Sequence, residues 1–203
     1  MRDYIIHLIR HGATLANEEG KYVGKTDLPL TPDAVAELED LREEGIYPSV
    51  AIVYSSPLAR CIKTATTIYP AKQLIAVENL MEYDFGEFEG KSDPELDSRE
   101  DYRAWRAGRD TTATGGEDMK NFEQRVYSAL VQIVGNMMEN DCYEAAVVTH
   151  GGVIMTLLGL CGLPQRQRVE WITENGKGYT IRVNPSIFQR SGYVEVTGTI
   201  PEM

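Results

Sequence analysis

Four short apolar runs constrain the fold of this 203-residue chain most: residues 4–9 (interrupted only by His7), 50–54, 74–77 and 145–148. Each has strand length, and none alternates polar with apolar as a strand with one wet face does. Strands covered on both sides belong to mostly parallel sheets flanked by helices. The intervening segments supply those helices. Thr31, Pro32 and Asp33 give an N-cap, a proline at the first helical position and an early acid, which predicts a helix to about Glu44. Ser56 and Pro57 repeat the signal before residues 58–69, and Asp118 caps a long helix. In that helix Met119, Phe122, Val126, Leu130, Ile133 and Met137 recur at helical spacing. Residues 152–160 read as a buried helix after the last parallel strand. The length suits one domain over 1–203. Within it, polar, glycine-rich residues 83–117 form a lid or rim with a short helical piece at 93–106. Residues 168–173 and 178–183 alternate like a hairpin around Asn175-Gly176, and 193–197 reads as a third edge strand.

Open α/β sheets bind ligands at the carboxyl ends of their strands. All four exits here carry chemistry. Arg10 and His11 follow the first run, Arg60 opens the helix after the second, Glu82 follows the third and His150 ends the fourth. A neutral imidazole can attack phosphorus, and arginine forks match phosphoryl oxygens. His11 is then the nucleophile. Arg10 and Arg60 hold the oxygens over which transition-state charge spreads, Arg60 with help from its helix N-terminus. His150 in protonated form is a third cationic donor. Glu82 protonates the leaving oxygen and then takes a proton from water. Asn17 helps fix the phosphate. His7, lacking a following glycine, reads as a satisfied core histidine.

The formal net charge of −11 argues against nucleic acid or an anionic membrane as partner, so an anionic substrate needs a local cluster of positive charge. Cys61, Cys142 and Cys161 are an odd set without metal-type pairing, which favours reduced thiols in a cytoplasm. No run approaches the ~18 apolar residues of a membrane span, and His7 and Arg10 make the first run unlike a signal peptide. Residues 20–26 imitate a nucleotide-binding P-loop, but three residues separate Gly20 from Gly24 where four are required. No cysteine has the arginine six positions on that a cysteine phosphatase needs; Gln167 stands there after Cys161. His7 and His11 have helical zinc-ligand spacing, yet on a strand that spacing separates them by about 13 Å. Arg99, Arg103 and Arg106 read as a solvated face paired with Asp97, Glu100 and Asp101, with pocket lining as the alternative.

Leu8-Ile9-Arg10-His11-Gly12-Ala13-Thr14, with Asn17 three residues on, resembles the signature of the histidine phosphatase superfamily, the phosphoglycerate-mutase-like enzymes. Ser55-Ser56-Pro57-Leu58-Ala59-Arg60, Glu82 with Phe85-Gly86 and Glu89-Gly90, Gly115-Gly116-Glu117 and His150-Gly151-Gly152 resemble its later blocks, in order. The resemblance implies a three-layer α/β/α sandwich with a mostly parallel central sheet. It further implies a phosphohistidine at His11, Glu82 as proton donor, a phosphate pocket of Arg10, Arg60 and His150, and no metal or cofactor. Residues 20–31 are similar to the phosphatase branch, especially α-ribazole phosphatases. Tyr83-Asp84-Phe85-Gly86 follows Glu82 where mutases have Glu-Arg-His-Tyr, and Gly152 stands in place of their asparagine. The expectation is a phosphatase for a small phosphorylated metabolite, with Tyr22, Gly24, Lys25, Glu117 and Gly151 contacting phosphate or substrate. A phosphoglycerate mutase is the nearest rival. A non-catalytic phospho-ligand module is the rival of another class, disfavoured because binding needs no nucleophile or acid. A homo-oligomer is left open by the strand edge near Tyr193.

Overall fold

The structure, a computed structural model, describes residues 2–201. Its sheet strands are β1 (Tyr4–Arg10), β2 (Ile52–Ser55), β3 (Gln73–Ala76), β4 (Glu144–Thr149), β5 (Gly162–Leu163), β6 (Gly178–Val183) and β7 (Val194–Ile200). They lie in the order β3-β2-β4-β1-β6-β7-β5, and only β6 runs against the rest. The helices are α1 (Leu15–Glu18), α2 (Pro32–Glu43), α3 (Ala59–Ile68), α4 (Asp93–Leu96), α5 (Glu100–Arg106), α6 (Met119–Glu139), α7 (Gly151–Cys161) and α8 (Pro185–Ser191).

Alternation along the central strands sorts their side chains into two cores. Ile6, Leu8, Ala145 and Val147 pack with Val126, Leu130 and Ile133 of α6 and Ile154 and Leu157 of α7. Ile9, Val53, Ala146 and Val148 pack with Leu38 of α2 and Cys61, Ala65 and Ile68 of α3. Each fully buried Leu, Ile or Val contributes about 1.5–3 kcal/mol relative to exposure. The result is the expected three-layer sandwich. At the sheet edge β3 departs from double burial: Gln73 and Ala76 are exposed.

The chain leaves β1 for α2 on one face and leaves β4, its parallel neighbour, for α7 on the other. Connections that diverge from adjacent parallel strands open a crevice between their carboxyl ends. His11 and His150 stand at that crevice.

Several local readings need correction. Ser56 does not cap α3; Leu58 is the N-cap and makes no side-chain cap bond, while Ser56 Oγ engages His150. Residues 168–173 are not a strand. Gln167 and Glu170 cap a 3-10 turn at Arg168–Trp171, and Trp171 turns into the core. β6 therefore pairs with β1 and β7 instead of a hairpin mate upstream. The strand near 193–197 is interior where β5 covers Val194 and Glu195. The helical piece at 93–106 is two helices, α4 and α5. α8 starts at an Asn184 cap with Pro185 in first position, the same signal as at Thr31.

Candidate active site

The exit of β1 is held from both sides. His11 N–H donates to the Thr149 carbonyl (2.9 Å) at the end of β4. From the other side Asn175 Nδ2 donates to the His11 carbonyl (2.9 Å), and Gly176 N–H to the Arg10 carbonyl (3.0 Å). Gly176 has φ +73°, which favours glycine at this turn. Gly12 N–H donates to Thr64 Oγ1 (2.9 Å), and Thr64 donates to the Arg60 carbonyl (2.7 Å), tying α3 to the β1 exit.

The His11 ring is buried, with Nδ1 2.7 Å from the Gly12 carbonyl. A carbonyl can only accept, so Nδ1 carries the proton and Nε2 keeps its lone pair. Burial, then the Arg60 charge, hold its pKa down at about 3, with Arg10 acting the same way. The imidazole is neutral across the physiological range.

Arg60 spends one donor on each of three neighbours: Nη2 on the Gly24 carbonyl (2.7 Å), Nη1 on the Thr26 carbonyl (2.9 Å) and Nε on His150 Nδ1 (3.3 Å). Accepting at Nδ1 leaves His150 its proton on Nε2, 2.8 Å from Ser56 Oγ. Burial, with His11, Arg60 and Arg10 around it, pushes the His150 pKa well down. Its ring stands edge-on to His11 at 5.1 Å between centroids. His150 is thus a neutral ring here, in place of the expected cation. A phosphoryl dianion beside it would raise its pKa and restore that charge.

Arg10 gives Nη1 to the Thr173 carbonyl (2.7 Å), while its buried Nε–H has no acceptor among the described residues. A Cβ at Gly151 would come within 3.3 Å of that nitrogen. Glu82 accepts from the N–H groups of Tyr83 and Gly152, each at 2.9 Å. Burial raises its pKa against the pull of those bonds and of Arg60 and Arg10. A methyl at Gly152 would overlap its carboxylate.

Arg10, His11, Arg60, Glu82 and His150 converge as the sequence predicts; the outer set does not. Asn17 Oδ1 accepts from Thr14 N–H (3.1 Å) as part of the α1 cap. The Tyr22 hydroxyl is committed to Asp93 (2.7 Å), and Lys25 Nζ to Asp84 (2.7 Å). Gly24 serves Arg60 through its carbonyl. Glu117 takes Arg125 with both oxygens (2.7 and 2.8 Å), and Arg125 donates to the carbonyls of Asn79, Met81 and Glu82. Glu117 therefore braces the Glu82 segment from behind. Arg99 pairs with Asp101 and Glu87, and Arg106 with Asp93, so both are engaged within their own segment, while Arg103 is exposed. His7 lies off the site, bonded to Thr180 (3.0 Å) and Glu144 (3.2 Å), as a core histidine should be.

Sequence reasoning missed Ser56, Thr64, Arg125 and Asn175. Ser56 lay within a recognised motif, where a hydroxyl before proline read as a cap, and Asn175 within a turn that read as a hairpin signal.

The chain matches the histidine phosphatase superfamily (branch 1) over residues 6–190. It is 34% identical to the putative phosphoserine phosphatase 2 of Hydrogenobacter thermophilus, covering 76% of this chain and 77% of that protein. It is 30% identical to the adenosylcobalamin/alpha-ribazole phosphatase of Escherichia coli, covering 87% and 89%. Among solved structures, the alpha-ribazole phosphatase from Shigella flexneri superposes with a TM-score of 0.79 at 25% identity, over 98% of this chain and 96% of that one. Relatives named as phosphoglycerate mutases match more weakly.

Proposed function

The chain belongs to branch 1 of the histidine phosphatase superfamily and is a phosphoric monoester hydrolase, and we propose that it works through a phosphohistidine on His11. The observation that carries this reading is the presence of two unspent groups among the converging side chains. His11 Nε2 makes no hydrogen bond among the described residues, and Arg10 Nε–H has no acceptor.

In the first step His11 Nε2 attacks phosphorus in line, and the ester P–O bond breaks. Arg10 and the two N–H groups that Arg60 has left gather the phosphoryl oxygens. Glu82, whose pKa burial raises, passes its proton to the leaving oxygen. In the second step water attacks phospho-His11, the P–N bond breaks, and the Glu82 carboxylate takes the water proton. Both reagents end as they began.

The natural substrate is a small phosphorylated metabolite. Hydrolysis is favoured over mutation because Lys25, the cation expected near the leaving group, is neutralised by Asp84. A mutase needs free cations for its substrate carboxylate. The cytoplasm is the proposed compartment, supported by three free thiols.

Enzyme quenched in acid during turnover should carry acid-labile phosphate on His11. His11→Ala should remove activity while leaving thermal unfolding cooperative. Phosphate on a cysteine or serine, or an active alanine variant, would overturn the mechanism.

A further inference from the structure

Three of the most exposed large apolar side chains are Leu15 (61%), Val169 (65%) and Ile172 (68%). A solitary exposed leucine needs no explanation. These three sit on the segments that hold the phosphate pocket. Leu15 directly follows the Thr14 cap, in the helix whose Asn17 touches Asn175 (3.4 Å). Ile172 directly precedes Thr173, whose carbonyl anchors Arg10. Val169 and Ile172 are three residues apart at the 3-10 turn, where that spacing stacks side chains on one face. Trp171 fills the inward face and its neighbours turn outward.

The segment that anchors Arg60 is aromatic. Phe85 lies against Gly24, the carbonyl partner of Arg60, such that a Cβ there would meet its ring at 3.1 Å. Tyr22 packs on Phe85 at 4.9 Å between centroids, its hydroxyl drawn away to Asp93. Of the charges nearest this segment, Lys25 pairs with Asp84 and Arg125 with Glu117, while the anionic Glu89 carboxylate accepts from the Lys25 and Thr26 N–H groups.

Resting on the phosphohistidine reading, we propose that Leu15, Ile172 and Phe85 select phosphomonoesters with an apolar or aryl leaving group and no carboxylate. The pocket supplies cations only for the phosphoryl group. Beyond it, an incoming alcohol meets branched and aromatic side chains that lose water when covered. A zwitterionic leaving group would have to surrender hydration for groups already paired with one another.

The test compares O-phosphotyrosine with 4-propylphenyl phosphate, whose leaving oxygens are alike and of which only the first carries an ammonium and a carboxylate at its far end. The wild-type chain should prefer the propylphenyl ester by about tenfold or more in kcat/KM. In the double variant Leu15→Ser/Ile172→Ser the preference should shrink to about twofold, with the inhibition constant of orthovanadate unchanged. Turnover without preference, or a preference that survives both substitutions, overturns the selection proposal alone. Weakened vanadate binding in parallel also overturns it, by assigning these residues to the phosphate pocket. No turnover of either ester sinks the phosphohistidine reading as well.

Discussion

His11 donates its Nδ1 proton to the carbonyl of the residue that follows it, so the ring is held in the nucleophilic tautomer by its own backbone. Glu82 is the complementary case, an acid whose pKa burial raises. Glu82→Gln should cost about 10²–10⁴ in kcat for an alkyl phosphate. The loss should be far smaller for p-nitrophenyl phosphate, whose leaving oxygen needs little protonation; equal losses would assign Glu82 a purely electrostatic role. The same contrast has a pH signature. A general acid works only while protonated, so kcat/KM for the alkyl ester should fall as pH rises through the raised Glu82 pKa. No acid limb should come from the nucleophile until pH approaches about 3. These roles were legible because an imidazole or arginine at a strand exit has few bland explanations. Ser56 was not, since the same hydroxyl can cap a helix or hold a histidine, and only the fold of β4 against α3 decides.

Elements whose signals are local came through intact. Thr31 Oγ1 accepts from the Ala34 N–H, and Pro32 occupies the first helical position of α2, as the residues predict. Thr31→Ala should therefore destabilise the protein by about 1 kcal/mol. That is a fall of about 2–4 °C in Tm for a chain of this size, with kcat/KM unchanged in the same preparation. The 3-10 turn at Arg168–Trp171 was illegible for the opposite reason. Its alternating residues satisfy a strand pattern, and what overrides it is the burial of one large ring, Trp171, beneath Tyr179 at 5.4 Å between centroids. The pull of an indole toward a cavity it fills does not appear in a window of neighbours.

Across the whole molecule all three histidines have pKa values pushed below 6.5, chiefly by burial. The unfolded chain takes up these protons near pH 6.5 and the folded chain resists. Their effect on stability is nil above that pH and grows as pH falls toward the folded values, about 3 for His11. Each contributes a slope of up to about 1.4 kcal/mol per pH unit. Urea midpoints measured from pH 7 to 4 should drop steeply, and His150→Gln should flatten the decline. A raised Glu82 pKa has the opposite sign, favouring the folded state as pH falls toward 4.5, and it offsets part of the loss. This balance was hidden in the sequence, where three histidines promise three ordinary titrations and burial alone distinguishes them. The antiparallel β6 carries one more consequence. The reactive side chains end at His150, yet Thr173, Asn175 and Gly176, which brace Arg10 and His11, come only with the turn before β6. A nascent chain thus carries all its reagents well before it can use them. Catalysis should switch on late in translation, after this strap has left the ribosome, and a polypeptide cut behind α7 should be complete in chemistry and inert.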